Sequence, residues 1–393
     1  MLTIARDVRI DFFRGLALLM IFIDHVPGNA ASALTLQSFA ICDGAEVFVL
    51  LAGYSSGLAF TASFLRASWP AATARVLIRT WNIYVAHIVL FCVVAAIVVA
   101  AVRHFDNPLY LEHVNLLPLF ADTESALVAT LTLHYLPNFL DILPLYVVLL
   151  ALVPIALPLA LRHPALVLVA SAALWGLVQV APFNLPNYPG DAGWYFNPFA
   201  WQFLFCIGLV LGSLRQRGIR LNPRLCRLLV IASVPIVLLA LLIAAPWRQI
   251  PGLEELVIIP WSWLPPVSKT DLSILRLINI LALFCLAGSL IRPDAAWLRG
   301  RIGSMLALPG THSLPVFSVG IIASVLGAVV FFEAGRGVLA HVVVNLIGAL
   351  AMLAVAWAAA WLKSEPWRRQ AAAVADTGGA SPHPASAVGL DRR

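Results

Sequence analysis

Charge is what this sequence has least of. Asp, Glu, Lys and Arg make up 11% of its 393 residues while 61% are hydrophobic, whereas an ordinary soluble domain carries roughly 25% charged residues. A water-soluble fold of this length has too little polar surface to cover so much apolar area. Cysteine is sparse and scattered (Cys42, Cys92, Cys206, Cys226, Cys285), without the density of a disulfide scaffold or the spacing of metal ligands. No metal and no bound cofactor is therefore expected. The basic residues exceed the acidic ones by a net charge of +6, but no Lys/Arg cluster is interleaved with exposed polar sequence, which excludes nucleic acid as a partner. The first apolar segment also lacks a small-residue cleavage pattern and runs into Pro27-Gly28-Asn29. It reads as a retained span and not as a signal peptide.

What is present is apolar sequence in blocks of about twenty residues, the length that a bilayer core of about 30 Å demands of a helix. The blocks predict spans at 12–28, 46–65, 80–102, 139–161, 165–182, 199–214, 226–245, 274–291, 314–332 and 338–362. The expected fold class is all-α, a polytopic transmembrane helix bundle of about ten spans with the lipid bilayer as its solvent. Lys and Arg concentrate in cytoplasmic loops. With the N-terminus inside, all of the 25 Lys and Arg residues fall on the cytoplasmic side except Arg103, Arg248, Lys269, Arg276 and Arg336. That bias predicts both termini in the cytoplasm and explains the basic net charge as a topology signal. One transmembrane domain is expected over 1–363. The Ala/Pro/Ser/Gly-rich stretch 364–393 is expected to be a disordered cytoplasmic tail, because it cannot bury enough apolar surface to offset its ordering entropy. On the outer side the longer segments are 29–45, 103–138, 183–198 and 246–273, and the partly apolar segment 103–138 suits an interfacial position.

The first span carries ionisable groups that hydrocarbon tolerates only towards a bundle interior or a water-filled cavity. Arg14 and His25 are eleven positions apart, so at ~3.6 residues per turn they share a helix face, roughly 17 Å from each other. Asp11 lies one turn before Arg14, at pairing distance. One stripe thus holds a cation towards the cytoplasm and an imidazole towards the outside. Taken singly, Arg14 reads as well as a residue that snorkels to the headgroups.

Arg14 and His25 resemble the arginine-histidine signature of the membrane acyltransferase-three family. The strings Arg9-Ile10-Asp11-Phe12-Phe13-Arg14-Gly15, Asp24-His25-Val26-Pro27-Gly28-Asn29 and Ala45-Glu46 through Gly53-Tyr54-Ser55 closely resemble its OpgC branch. The likeness continues in His134 to Tyr146, in Asn197-Pro198-Phe199-Ala200-Trp201-Gln202-Phe203, in Lys269-Thr270-Asp271 and in His312 to Ser318. The resemblance implies an integral enzyme of the bacterial inner membrane that moves a succinyl group from cytoplasmic succinyl-CoA to hydroxyls of periplasmic glucans, with acyl-CoA and glucan as its partners.

A sugar hydroxyl is a poor nucleophile, and an imidazole titrating near neutrality can take its proton as it attacks a thioester. His25 is the expected base, with its ring oriented by Asp24 or by Glu46 at the start of the second span. Successive helical residues point about 100° apart, so Asp24 serves only if the helix unwinds at Pro27. On the donor side Arg14, held by Asp11, offers paired N–H donors to an anionic group of CoA. His312, beside Thr311 and Ser313, sits where free N–H groups at a helix start favour phosphate, although Ser313 as a plain N-cap explains the pattern as well. His134, Asp141 and Trp194 are the expected acceptor-binding residues, Trp194 competing with an ordinary place in the interfacial aromatic belt. His87 reads as a hydrogen-bonded interior residue. Two rival readings stay open: a secondary transporter or flippase for an anionic or glycan solute, and an O-acetyltransferase on an envelope glycan with acetyl-CoA as donor.

Overall fold

The computed structural model describes residues 7–190 and 192–365, and the expected tail lies outside them from residue 366 onward. Among the described residues helices carry the whole fold and no β-sheet forms. In chain order they are α1 Val8–His25, α2 Gly44–Arg66, α3 Trp69–Phe105, the short α4 Leu109–Val114, α5 Leu117–Ala121 and α6 Thr123–Leu131, then α7 Ile142–Arg162, α8 Pro164–Val180, α9 Pro198–Gln216, α10 Pro223–Ala244, α11 Ile274–Leu290, α12 Ala296–Arg299, α13 Arg301–Thr311, α14 Ser313–Glu333 and α15 Val338–Lys363. Seven of these are long and apolar enough to cross a membrane. Of the other long helices, α8 and α11 have 17 residues each, and α1 carries Arg9, Asp11, Arg14 and Asp24 within its 18.

Each predicted span falls on a long helix; the largest boundary shift is at α3, and the helix α13 lies outside every predicted span. Helix α3 starts eleven residues before the expected 80, because Ser68-Trp69-Pro70 opens a helix with Pro in its first turn, where the missing N–H costs nothing. At 37 residues it is about 55 Å long. Between α11 and α14, where a loop was expected, α13 lies antiparallel to α1. Its Leu306 carbonyl sits against Gly15 and its Gly310 against the Asp11 carbonyl, so close that a Cβ at either glycine would lie 1.8 Å from an oxygen. Arg, Gly and Pro lower the hydropathy of 299–310, and this packed helix is invisible to a hydropathy scan. Segment 103–138 is the three short helices α4 to α6.

The centre of the bundle is the crossing of α2 and α9. Gly53 and Gly57 on α2 face Gly208 and Gly212 on α9, and a Cβ at any of them would come within 2.0–2.3 Å of a carbonyl oxygen of the other helix. Small residues four apart let helix backbones touch in this way. Trp201, Phe205 and Leu50, all essentially unexposed, fill the space on either side. The crossing fixes the start of α2 beside the start of α9, and both contribute to the site.

Candidate functional site

Helix α1 ends at His25 because Val26 precedes Pro27 and takes an extended conformation, as the residue before a proline is driven to do. Gly28 then turns the chain with φ +71°, the Arg336 guanidinium filling the room a Cβ would need. Asn29 and Asn345 on α15 exchange amide hydrogen bonds of 2.9 Å each. The last turn of α1 is thus anchored, and its side chains face a cavity of about 370 Å³.

His25 lines that cavity together with Asp24, Asp43, Asp141, Lys269 and Tyr195. The Nδ1 of His25 is hydrogen-bonded to the Ile21 carbonyl oxygen. A carbonyl can only accept, so Nδ1 carries the proton of the neutral ring and Nε2 holds the free lone pair. The ring stands edge-on to Phe139 at 5.0 Å between centroids, and Phe139 has φ +73°, a left-handed conformation that bulky residues rarely hold outside functional sites.

The two acids expected to orient His25 are engaged elsewhere. Asp24 accepts from the Thr35 hydroxyl at 2.7 Å and the Gln37 amide at 2.8 Å, which ties it to the 29–43 loop. Glu46, 0% exposed, accepts from Arg276 Nε at 2.5 Å and from the Asp43 N–H at 3.0 Å. It completes a capping box in which Asp43 accepts from Ala45 N at 2.9 Å. Orientation of the imidazole falls to a backbone carbonyl, which no pattern of acidic residues can announce.

Asp43 also pairs with Lys269 Nζ at 2.7 Å and Arg276 Nη2 at 2.9 Å. Burial pushes its carboxyl up, but Lys269 and Arg276 outweigh that and hold it well below the usual carboxylate range. Burial likewise lowers the Lys269 ammonium, and Asp43 followed by Glu46 outweighs it and raises Lys269 above the usual lysine value. The Lys269 loop is pinned: Trp201 Nε1 donates to the Lys269 and Thr270 carbonyls at 3.1 Å each, and Asn197, the cap of α9, donates to Asp271 at 2.9 Å. Lys269, Asp43, Arg276 and Tyr195 were not singled out from the sequence as site residues. The string Lys269-Thr270-Asp271 was the one available signal.

The expected acceptor residues separate. Asp141 is buried at the start of α7 and lines the cavity. His134 lies in a second, open depression of about 500 Å³ with Glu124, Thr132 and Tyr188. Trp194 is only 3% exposed, so its ring has no face to offer a sugar, and its neighbours Tyr195 and Phe196 reach the cavity instead.

At the other end of α1 a groove of about 230 Å³ opens between α1, α2 and α11. Its walls on α1 are Arg9, Ile10, Phe13, Leu16 and Met20, a face turned largely away from the Arg14–His25 stripe. Arg14 and Asp11 do not line it, and Leu18, on their stripe, is packed in the core. Arg9 holds Asp7 through two hydrogen bonds of 2.9 and 2.7 Å and donates to the carbonyls of Gly288 and Ile291 at the end of α11. Burial pushes Asp7 up and Arg9 more than offsets it, leaving the carboxyl below its usual value. Arg215 stands 3.5 Å from Asp7 and is partly exposed. His312 is the residue before α14 and caps nothing with its side chain, while the Ser313 hydroxyl, expected as the cap, donates back to the Gly310 carbonyl. His87, expected to be hydrogen-bonded inside α3, is buried with no partner on either ring nitrogen among the described residues.

The groove and the cavity are adjacent. Met20 and Leu36 line the first, and Ile21 and Gln37, the next residue in each case, line the second. The groove and the cavity share no lining residue and lie on either side of Met20–Ile21 and Leu36–Gln37, the groove with Arg9 on its wall and the cavity with His25 on its wall.

No curated protein and no solved structure matches the chain. The family described as OpgC protein matches residues 6–364, nearly the whole length. With its seven long apolar helices and that match, the chain belongs to the OpgC family as a multi-pass membrane acyltransferase.

Proposed function

We propose that this protein takes a succinyl group from succinyl-CoA on the cytoplasmic side of the bacterial inner membrane and transfers it to a hydroxyl of a periplasmic glucan. In this reading the bundle has ten spans with both termini inside, the Arg9 end of α1 faces the cytoplasm and the His25 cavity faces the periplasm. The observation that carries the proposal is the His25 tautomer. With Nδ1 bound to the Ile21 carbonyl, Nε2 is a neutral base on the wall of a cavity furnished with carboxylates, amides and aromatic rings, the groups that bind sugars.

The donor arm lies in the groove, its anionic end at Arg9 and Arg215 and its thioester towards Met20. Arg9 therefore replaces Arg14 as the guanidinium at the groove mouth. Nε2 accepts the proton of the sugar hydroxyl as its oxygen attacks the thioester carbonyl. The C–S bond breaks, and the imidazolium returns the proton to the departing thiolate. The products are an O-acyl sugar and CoA with a free thiol, and His25 ends neutral as it began. Asp141 and Tyr195 hold the acceptor.

Reconstituted protein supplied with succinyl-CoA and a glucan is expected to release free CoA thiol in proportion to succinylated glucan. A transporter would need no donor turnover. Full transfer by His25→Ala, at unchanged abundance, would remove the imidazole from the mechanism.

A further inference from the structure

Among the described residues, Lys269 is the one cationic side chain on the wall of the His25 cavity. Its ammonium has three N–H donors. Among the described residues one oxygen takes it, Asp43 Oδ2 at 2.7 Å, and the rings of Tyr195 and Phe196 flank it at 5.8 and 5.6 Å. Asp43 does not rely on Lys269 alone, because Arg276 and the Ala45 N–H hold the same carboxylate. The loop that carries Lys269 is fixed by Trp201 and Asn197. A pinned, partly buried ammonium with unspent donors, in a cavity already furnished with acids, is more than a counter-ion needs to be.

We propose that Lys269 selects the acyl group, receiving the free carboxylate of a dicarboxylic acyl chain while the thioester end of that chain lies at His25. The proposal rests on the acyl-transfer reading above and assigns the residue that would read the acyl group of its donor.

Among the described residues that line the cavity, Lys269 alone offers a positively charged donor to a carboxylate, and Asp43, which also lines the cavity, takes one of its N–H groups and leaves the others to the substrate. The chain is therefore steered to one orientation. Asp24 is satisfied by Thr35 and Gln37 and does not compete for the ammonium. An uncharged acyl chain that entered would displace water from Lys269 and leave its donors unpaired, the condition under which a polar site rejects an analogue that lacks the matching group.

Succinyl-CoA and butyryl-CoA have the same chain length and differ by a carboxylate in place of a methyl group. With a neutral glucan oligosaccharide as acceptor, the donor is the only substrate that can bring a carboxylate to Lys269, so an anionic substituent on the sugar is excluded as the ligand. CoA release by the wild type, Lys269→Met and Lys269→Arg would be measured with each donor. The wild type is expected to favour succinyl-CoA in kcat/KM. Lys269→Met is expected to cut the succinyl-to-butyryl ratio by about tenfold or more, the scale of one hydrogen bond to a charged group, chiefly through the succinyl KM. Lys269→Arg is expected to keep most of the preference. A role confined to supporting Asp43 would lower both donors in parallel, and an unchanged ratio overturns the proposal. Should Lys269→Met fail to accumulate, equal use of the two donors by the wild type overturns it as well. No CoA release from either donor would instead strike down the acyl-transfer reading itself.

Discussion

His25 is held by Ile21: the imidazole Nδ1 rests on a backbone carbonyl one turn earlier in the same helix. No side-chain substitution removes that acceptor. Loss of the base itself, in His25→Ala, is expected to lower kcat by about 10²–10⁴-fold. Asp24→Asn, which keeps a group able to accept from Thr35 and Gln37, is expected to cost far less. Both follow from CoA-release rates at matched protein levels. A loss in Asp24→Asn equal to that in His25→Ala would mean that the carboxylate acts on the ring after all.

Glu46 and Arg276 form a buried pair. Glu46→Ala or Arg276→Ala leaves an uncompensated charge and is expected to destabilise the protein by about 3–5 kcal/mol. A double change of both to Met is expected to recover much of that. Thermal unfolding in detergent, read by the loss of monodisperse protein, distinguishes the three.

The Asp43 ion pairs give a stability that depends on pH with a definite sign. Its folded carboxyl titrates below its unfolded value of 3.8, so the contribution is complete above about pH 4 and is lost as pH falls through the lower folded value. Asp43→Asn is therefore expected to melt below the wild type at pH 7, and the gap is expected to close as pH drops under about 4. Melting curves across that range check it.

A Cβ at Gly288, on the groove wall, would meet no heavy atom within 4 Å. Gly288→Phe is expected to put a ring into the groove without disturbing the helices, to raise the donor KM by about tenfold on the scale of a blocked apolar pocket, and to leave the acceptor KM alone. Initial rates with each substrate varied in turn show which moves.

Gly208 touches the Leu50 carbonyl with no room for a side chain. Gly208→Val is expected to push α9 off α2 at a cost of about 1–3 kcal/mol or more, as overpacking does. A lower melting temperature, together with reduced abundance, is the expected reading.

Hydropathy revealed the long helices because every predicted span is a run of apolar residues contiguous in sequence. It missed α13, where Gly and Pro serve close backbone contact with α1 at the expense of hydropathy. It also passed over the glycines spaced four apart on α2 and α9, which mean something only when the two helices are known to face each other. In the site, His25, Asp24 and Asp141 were legible as ionisable groups at span ends, and all three line one cavity. The role of Glu46 was not legible, because its partner Arg276 lies 230 positions away, among the few basic residues that fall outside the cytoplasmic set. Trp194 stands out in the sequence by residue type, but it is buried, while its neighbour Tyr195 lines the cavity. Arg14 shares a face with His25 as the periodicity requires, but core side chains occupy the space along that face, and the groove opens on the side of Arg9.

The distance in sequence between Glu46 and Arg276 also governs how the protein is made. Helix α2 leaves the ribosome with its glutamate while the arginine is still untranslated, and the long helices α3, α7, α8, α9 and α10 are synthesised in between. Glu46 is fully buried in the finished bundle, so the nascent chain carries its carboxylate without the arginine until α11 arrives. Completion of the fold is thereby coupled to translation of the last third.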